Sequence, residues 1–135
     1  LLKGEASAAG CATRVHWLGF MDEAAKAAAY AAADCFVHAS ESEGMALAIL
    51  EAMSAGLPVV ATQGCYMAEA ARAGALVECA PGPAALTEAL RPLLMDLDLA
   101  QNQGRRGQAY VAAAHDWANL ARRSLQIYDG EGGQA

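Results

Sequence analysis

Within a few residues the chain stops a helix and begins an apolar run: "SAGLPVVAT" (54–62) passes from helix formers through Gly56 and Pro58 into Val59, Val60 and Ala61. Glycine just past a helix end, followed by proline, is a stop signal. A short run that is wholly apolar fits a strand buried on both faces. The same unit recurs along the chain. "RVHWLGF" (14–20) precedes the helical "DEAAKAAAYAAA" (22–33), and "DCFVHAS" (34–40) precedes "GMALAILEAMSA" (44–55). "PVVAT" (58–62) precedes "YMAEAARAG" (66–74), and "ALVEC" (75–79) precedes the turn "APGP". Helical segments at 83–97, 99–113 and 116–128 follow. Apolar strands alternating with helices require crossover connections, hence a parallel sheet covered by helices. The expected fold is α/β, doubly wound and Rossmann-like, with four strands and C-terminal helices. Trp17 is expected in strand core, and Trp117 and Tyr128 are expected to pack.

Composition narrows the function classes. Hydrophobic residues make up 56% and charged residues 18%, which places the chain among globular proteins. The net charge is −6, and the nine Lys and Arg cluster only in the pairs Arg105-Arg106 and Arg122-Arg123, so nucleic acid is excluded as a partner. Cys11, Cys35, Cys65 and Cys79 show no Cys-x-x-Cys spacing, which argues for thiols in a reducing compartment rather than a zinc or redox site. No ligand cluster for a metal is visible. Neither a membrane-spanning run nor a signal peptide is present in the sequence, so a cytoplasmic location is expected. The start at Leu1 instead of Met, and a helical stretch from Leu1 to Cys11, suggest a longer chain whose sheet begins upstream. Residues 1–129 then form part of a domain, with 130–135 as a flexible Gly-rich tail.

In doubly wound sheets ligands bind at the carboxyl ends of the strands, where helix N-termini present unpaired N–H groups. "SESEGMALAILEAMSAGLPVVAT" (40–62) lies at such an edge. Glu43 falls in the loop before a helix and Glu51 falls two turns into it, among Leu47, Ile49, Leu50 and Met53. On a helical ruler they lie roughly 12 Å apart along the axis and about 80° apart around it. A carboxylate can clamp a cis-diol such as a ribose. The amides of Gly44, Met45, Ala46 and Leu47 can meet a phosphate or hydroxyl, and Gly44 permits close approach. Ser40 and Ser42 are expected to cap the helix, and His38, at a strand end facing the site, to take a backbone partner.

The string of strand, Ser-x-x-Glu-Gly, helix, "EAMSAGLPVVAT" closely resembles the family 4 retaining glycosyltransferases, whose GT-B fold carries a Glu, seven residues, Glu motif in its C-terminal, donor-binding domain. The resemblance extends over "RVHWLGFMDEAAKAAAYAAAD" upstream and "HDWANLARRSLQIY" (115–128) downstream, the latter similar to the family's final helix. It implies a nucleotide-diphosphate-sugar donor, transfer of the sugar to an acceptor hydroxyl with retained configuration, and no metal or other cofactor. Glu43 would position the donor sugar in the catalytic site, and Gly44, Met45, Ala46 and Leu47 would serve the sugar and diphosphate. Glu51 would hold the ribose, and Phe20, Met21, Glu23 and Lys26 would meet the base. The partner implied is an N-terminal acceptor domain of the same enzyme, through which alone any peripheral membrane association would arise. Without it this piece would not transfer sugar. Two departures stand out. Met45-Ala46 replaces the family's Phe-Gly, and Cys65-Tyr66-Met67-Ala68 before Glu69 replaces Gly-Gly-x-Pro. The alternative is a non-catalytic interaction domain with a degenerate nucleotide-sugar site. A receiver-like phosphorylation domain is disfavoured, because Lys3 and Lys26 are the only lysines and both come early.

Overall fold

The computed structural model describes residues 2–44, 46–114 and 117–128. Helix α1 (Leu2–Ala8) and a 3-10 turn (Ala12–Arg14) lead to α2 (Glu23–Ala32), β1 (Phe36–His38), α3 (Leu47–Ser54) and β2 (Val59–Thr62). A second 3-10 turn (Gln63–Cys65), α4 (Ala68–Arg72), β3 (Val77–Cys79), α5 (Pro83–Met95), α6 (Leu97–Ala114) and α7 (Trp117–Tyr128) complete the described chain. The sheet is parallel, in the order β1-β2-β3, with Phe36 opposite Val59, His38 opposite Ala61 and Thr62 opposite Cys79. Every residue of the central strand β2 is buried, as the apolar Val59, Val60 and Ala61 require.

The strands number three among the described residues, not four. Residues 15–20 run as irregular chain, with Trp17, Leu18 and Phe20 exposed. No described strand lies beside them to satisfy their backbone groups, and a strand exists only through such pairing. Trp17 is accordingly not core: it is 46% exposed, with the Lys3 ammonium 5.9 Å from its ring centroid. Tyr128 is also exposed rather than packed. The side chain of Trp117 and the tail at 130–135 lie outside the described residues.

Helix α2 begins where its sequence demands, with the Asp22 side chain accepting from the Ala25 amide at 2.8 Å. Helix α3 buries Ile49, Ala52 and Met53 and packs against α6 and β2. It ends at Gly56, whose φ of 80° is the left-handed cap that glycine adopts without cost. Helix α6 completes this end: the Gln108 side-chain amide donates to the Ser54 carbonyl at 3.0 Å, and that of Gln103 to Val59 at 2.9 Å. Such an approach depends on Gly104 and Gly107. A Cβ at Gly104 would run into the Gly56 carbonyl, and one at Gly107 would lie 3.0 Å from the Ala75 carbonyl.

Gly104→Ala therefore opposes two effects. Helix propensity favours alanine by about 1 kcal/mol, whereas the backbone contact forces α6 away from α3. Net destabilisation is expected, as a lower urea midpoint with an unchanged slope; a raised midpoint would show that the helices separate freely.

Candidate functional site

The carboxyl ends of β1 and β2 are joined by one side chain. Thr62 ends β2, 2% exposed. Its hydroxyl donates to the Ser40 carbonyl at 2.6 Å and accepts from the Ser40 amide at 2.9 Å. Two further bonds continue the seam, from the Glu43 amide to the Gly64 carbonyl at 2.9 Å and from the Cys65 thiol to the His38 carbonyl at 3.6 Å. Gly64 is required here, because a Cβ would collide with the backbone of Ser40 and Glu41. The loop carrying Glu43 is thus held along its length by the loop that follows β2.

Glu43 is paired with His38, whose Nε2 lies 3.0 Å from Glu43 Oε1. The expected backbone partner of that imidazole is replaced by the carboxylate. The hydrogen bond from His38 is the main influence that holds the Glu43 carboxyl below its ordinary range. Neither serine caps the helix: the Ser40 hydroxyl donates to the Ser42 carbonyl, and Ala46, at the N-cap, supplies no side-chain bond. The first turn of α3 therefore has no side chain of its own N-cap on its amides. Gly44 is exposed and Ala46 buried, Leu47 opens the helix half-exposed, and Met45 lies outside the described residues.

Helix α3 starts at Leu47, so the helical ruler does not run from Glu43 to Glu51; the two carboxylates are placed by a fixed loop and by a helix respectively. Glu51 joins α3 to α2. Lys26 Nζ lies 2.8 Å from Glu51 Oε1, and the Tyr30 hydroxyl donates to Oε2 at 3.1 Å. Lys26 also reaches Glu23 at 3.3 Å. The hydrogen bond from Lys26 lowers the Glu51 pKa, and the same bond raises that of Lys26. Burial, then Glu51, raises that of Tyr30. Lys26 and Tyr30 are four residues apart, on one face of α2. That spacing could have revealed the pair, whereas nothing local pointed to Thr62. Of the residues expected near a base, Lys26 and Glu23 meet each other and Met21 is partly buried, while Phe20 is 99% exposed. Among the described residues no group of three His, Cys, Asp or Glu could hold a metal ion, and no helix is long and apolar enough to cross a membrane. The four cysteines are free thiols.

Tyr66 closes the 3-10 turn after β2 with φ 53° and ψ 39°, the one positive φ at a non-glycine residue among those described. A tyrosine held there costs roughly 1–2 kcal/mol relative to a right-handed conformation. The position corresponds to the second glycine of the Gly-Gly-x-Pro pattern.

Two loops are thus locked together at the carboxyl end of a parallel sheet, with Glu43 held by His38 and Glu51 by Lys26 and Tyr30. The family model for glycosyl transferases group 1 matches residues 1–130. The chain belongs to this family. It is 30% identical over 125 residues to a phosphatidyl-myo-inositol mannosyltransferase of Mycobacterium leprae, covering 90% of this chain and 33% of that protein. Sucrose-phosphate synthase from Thermosynechococcus elongatus superposes with a TM-score of 0.85 at 27% identity, over 96% of this chain and 33% of its own. The C-terminal domain of a group 1 family glycosyl transferase from Francisella tularensis superposes with a TM-score of 0.76 at 25% identity, over 86% and 61%. The chain spans about a third of the length of the mannosyltransferase and the synthase. Its sheet and flanking helices are those of the Rossmann-like fold of GT-B glycosyltransferases.

Two tests follow. Thr62→Val keeps the shape but leaves both Ser40 backbone groups without their partner, and is expected to cost about 1–2 kcal/mol in chemical denaturation; Thr62→Ser should recover most of this, and equal losses in both would place the effect in packing. For pH, the folded pKa values of Glu43 and Glu51 are depressed. Their contribution is present above the unfolded glutamate value of about 4.3 and is lost as pH falls through the lower folded values. Glu51→Gln should flatten the fall in urea midpoint below about pH 4.3, and an unaltered pH profile would show that the pair with Lys26 adds nothing to stability.

Proposed function

We propose that this chain forms the donor-binding half of a retaining glycosyltransferase that uses a nucleotide-diphosphate-sugar. Family membership supports sugar transfer, and the observation that carries the donor assignment is the state of Glu51. Each of its oxygens has one protein partner, Lys26 on one and Tyr30 on the other. An ionised carboxylate offers about four acceptor sites. The side chain, 41% exposed, keeps acceptor capacity for two ribose hydroxyls while its orientation is already set. Preorganisation of this kind lowers the ordering cost of binding.

Glu43, aligned by His38, holds hydroxyls of the donor sugar. The amides of Gly44, Met45, Ala46 and Leu47 meet the sugar and diphosphate at the α3 N-terminus, whose partial positive charge suits a leaving diphosphate. Phe20 and Met21, with Glu23 and Lys26 at the start of α2, take the base. Lys26 then connects the base end to the ribose end through its bond to Glu51. The departing phosphate oxygen accepts the proton of the acceptor hydroxyl on the same face of the sugar, so no protein nucleophile and no metal are used. Catalysis comes from positioning and from stabilisation of the leaving group. The acceptor is held by a further domain, in keeping with the fraction of the relatives' length that this chain spans.

Calorimetric titration with UDP and GDP tests the site. Binding of one of them is expected, with Glu51→Ala weakening it at least about tenfold, a loss near 1.4 kcal/mol, while the far-UV CD spectrum is retained. Glu43→Ala should weaken UDP-glucose or GDP-mannose but not the bare diphosphate. Unchanged diphosphate affinity in Glu51→Ala would overturn the ribose role.

A further inference from the structure

Tyr66 occupies a left-handed conformation that glycine adopts freely and tyrosine rarely does. Its surroundings impose that backbone. Cys65 before it is buried and bonded to the His38 carbonyl, Met67 after it packs against the core, and the Tyr66 amide donates to the Gln63 carbonyl at 3.1 Å. The side chain takes no part in this: the residue is 72% exposed, and among the described residues its hydroxyl has no hydrogen-bond partner. Nothing in the fold is repaid for the strained side chain, and a glycine would satisfy every backbone contact described. Strain retained without local compensation points to use by something outside the fold.

The location says what that is. Tyr66 lies two residues, at most about 7 Å of backbone, from Gly64, whose carbonyl holds the Glu43 amide. It stands on the same carboxyl edge of the sheet as Glu43, at the sugar end of the site, whereas Glu51 is tied to α2 at the other. We propose that Tyr66 is a specificity-determining residue, an aromatic platform that packs against the apolar C–H face of the donor's hexose while Glu43 holds its hydroxyls. This rests on the donor reading above. An aromatic face contributes shape and dispersion without requiring a particular hydroxyl pattern, and so complements the carboxylate.

Full-length protein carrying Tyr66, Tyr66→Gly or Tyr66→Phe is titrated with UDP, GDP, UDP-glucose and GDP-mannose, alongside thermal melts. Tyr66→Gly is expected to raise the Tm by relieving the left-handed strain, yet to weaken the nucleotide-sugar about five- to tenfold with the bare diphosphate unaffected; Tyr66→Phe should bind both as the parent does. A purely structural role for Tyr66 would move the Tm but not the ratio of sugar-nucleotide to diphosphate affinity, so an unchanged ratio in Tyr66→Gly overturns the platform. So does an equal loss in Tyr66→Phe, since the ring would then not be what binds. Failure of the parent to bind any of the four ligands overturns the donor reading itself, and the platform with it.

Discussion

The paired hydrogen bonds between Thr62 and Ser40 are the constraint on which the site depends. Parallel strands end side by side, but their loops diverge toward separate helices, and nothing in the ladder beyond His38 and Thr62 keeps them together. A hydroxyl that donates and accepts at once replaces a missing rung of the sheet. Two residues further along, the Gly64 carbonyl takes the Glu43 amide, so the loop reaches Glu43 with little conformational freedom left. The helix that follows begins without a side-chain cap from its N-cap residue Ala46.

At the other end, the Glu51 carboxylate lies between two helices. Its bonds to Lys26 and Tyr30 connect α2 to α3 across the carboxyl edge of the sheet, and the same bonds keep it ionised and oriented. These bonds leave acceptor capacity on Glu51, because a carboxylate has more acceptor sites than the protein fills. In each case a residue of the preceding strand or helix, His38 or Lys26, sets the direction of a carboxylate on a later segment.

Tyr66 shows the reverse relation. There the backbone is dictated by its neighbours, and the side chain pays the conformational cost with no partner in the fold. The opposite holds at Gly56, Gly64 and Gly104, where close approach or a positive φ is met by the residue best suited to it. The chain is therefore locally consistent in its scaffold and inconsistent at one exposed point, Tyr66.

Much of this was legible in the sequence. The helix stop at Gly56 and Pro58, the apolar Val59-Val60-Ala61 run and the repeated alternation of apolar run and helix placed three strands and their helices, because glycine, proline and burial patterns act within a few residues. The two glutamates stood out through their setting between parallel strands. The segment 14–20 did not become a strand, since apolar character makes a strand possible but only a paired neighbour makes it real. Lys26 appeared as a base-binding charge and proved to be tied to Glu51, and His38 exchanged a backbone partner for Glu43. The bonds of Thr62 were invisible, and Tyr66 showed only as a residue standing where the resembled family has glycine. By itself the sequence determined the order of the elements, the parallel sheet and the edge where the carboxylates lie, all set by short-range patterns of burial and backbone preference. Only the tertiary structure decided which groups hold those carboxylates and which loop clasps which, because all of these contacts except that of His38 with Glu43 join residues more than twenty positions apart and depend on a distance that no local pattern encodes.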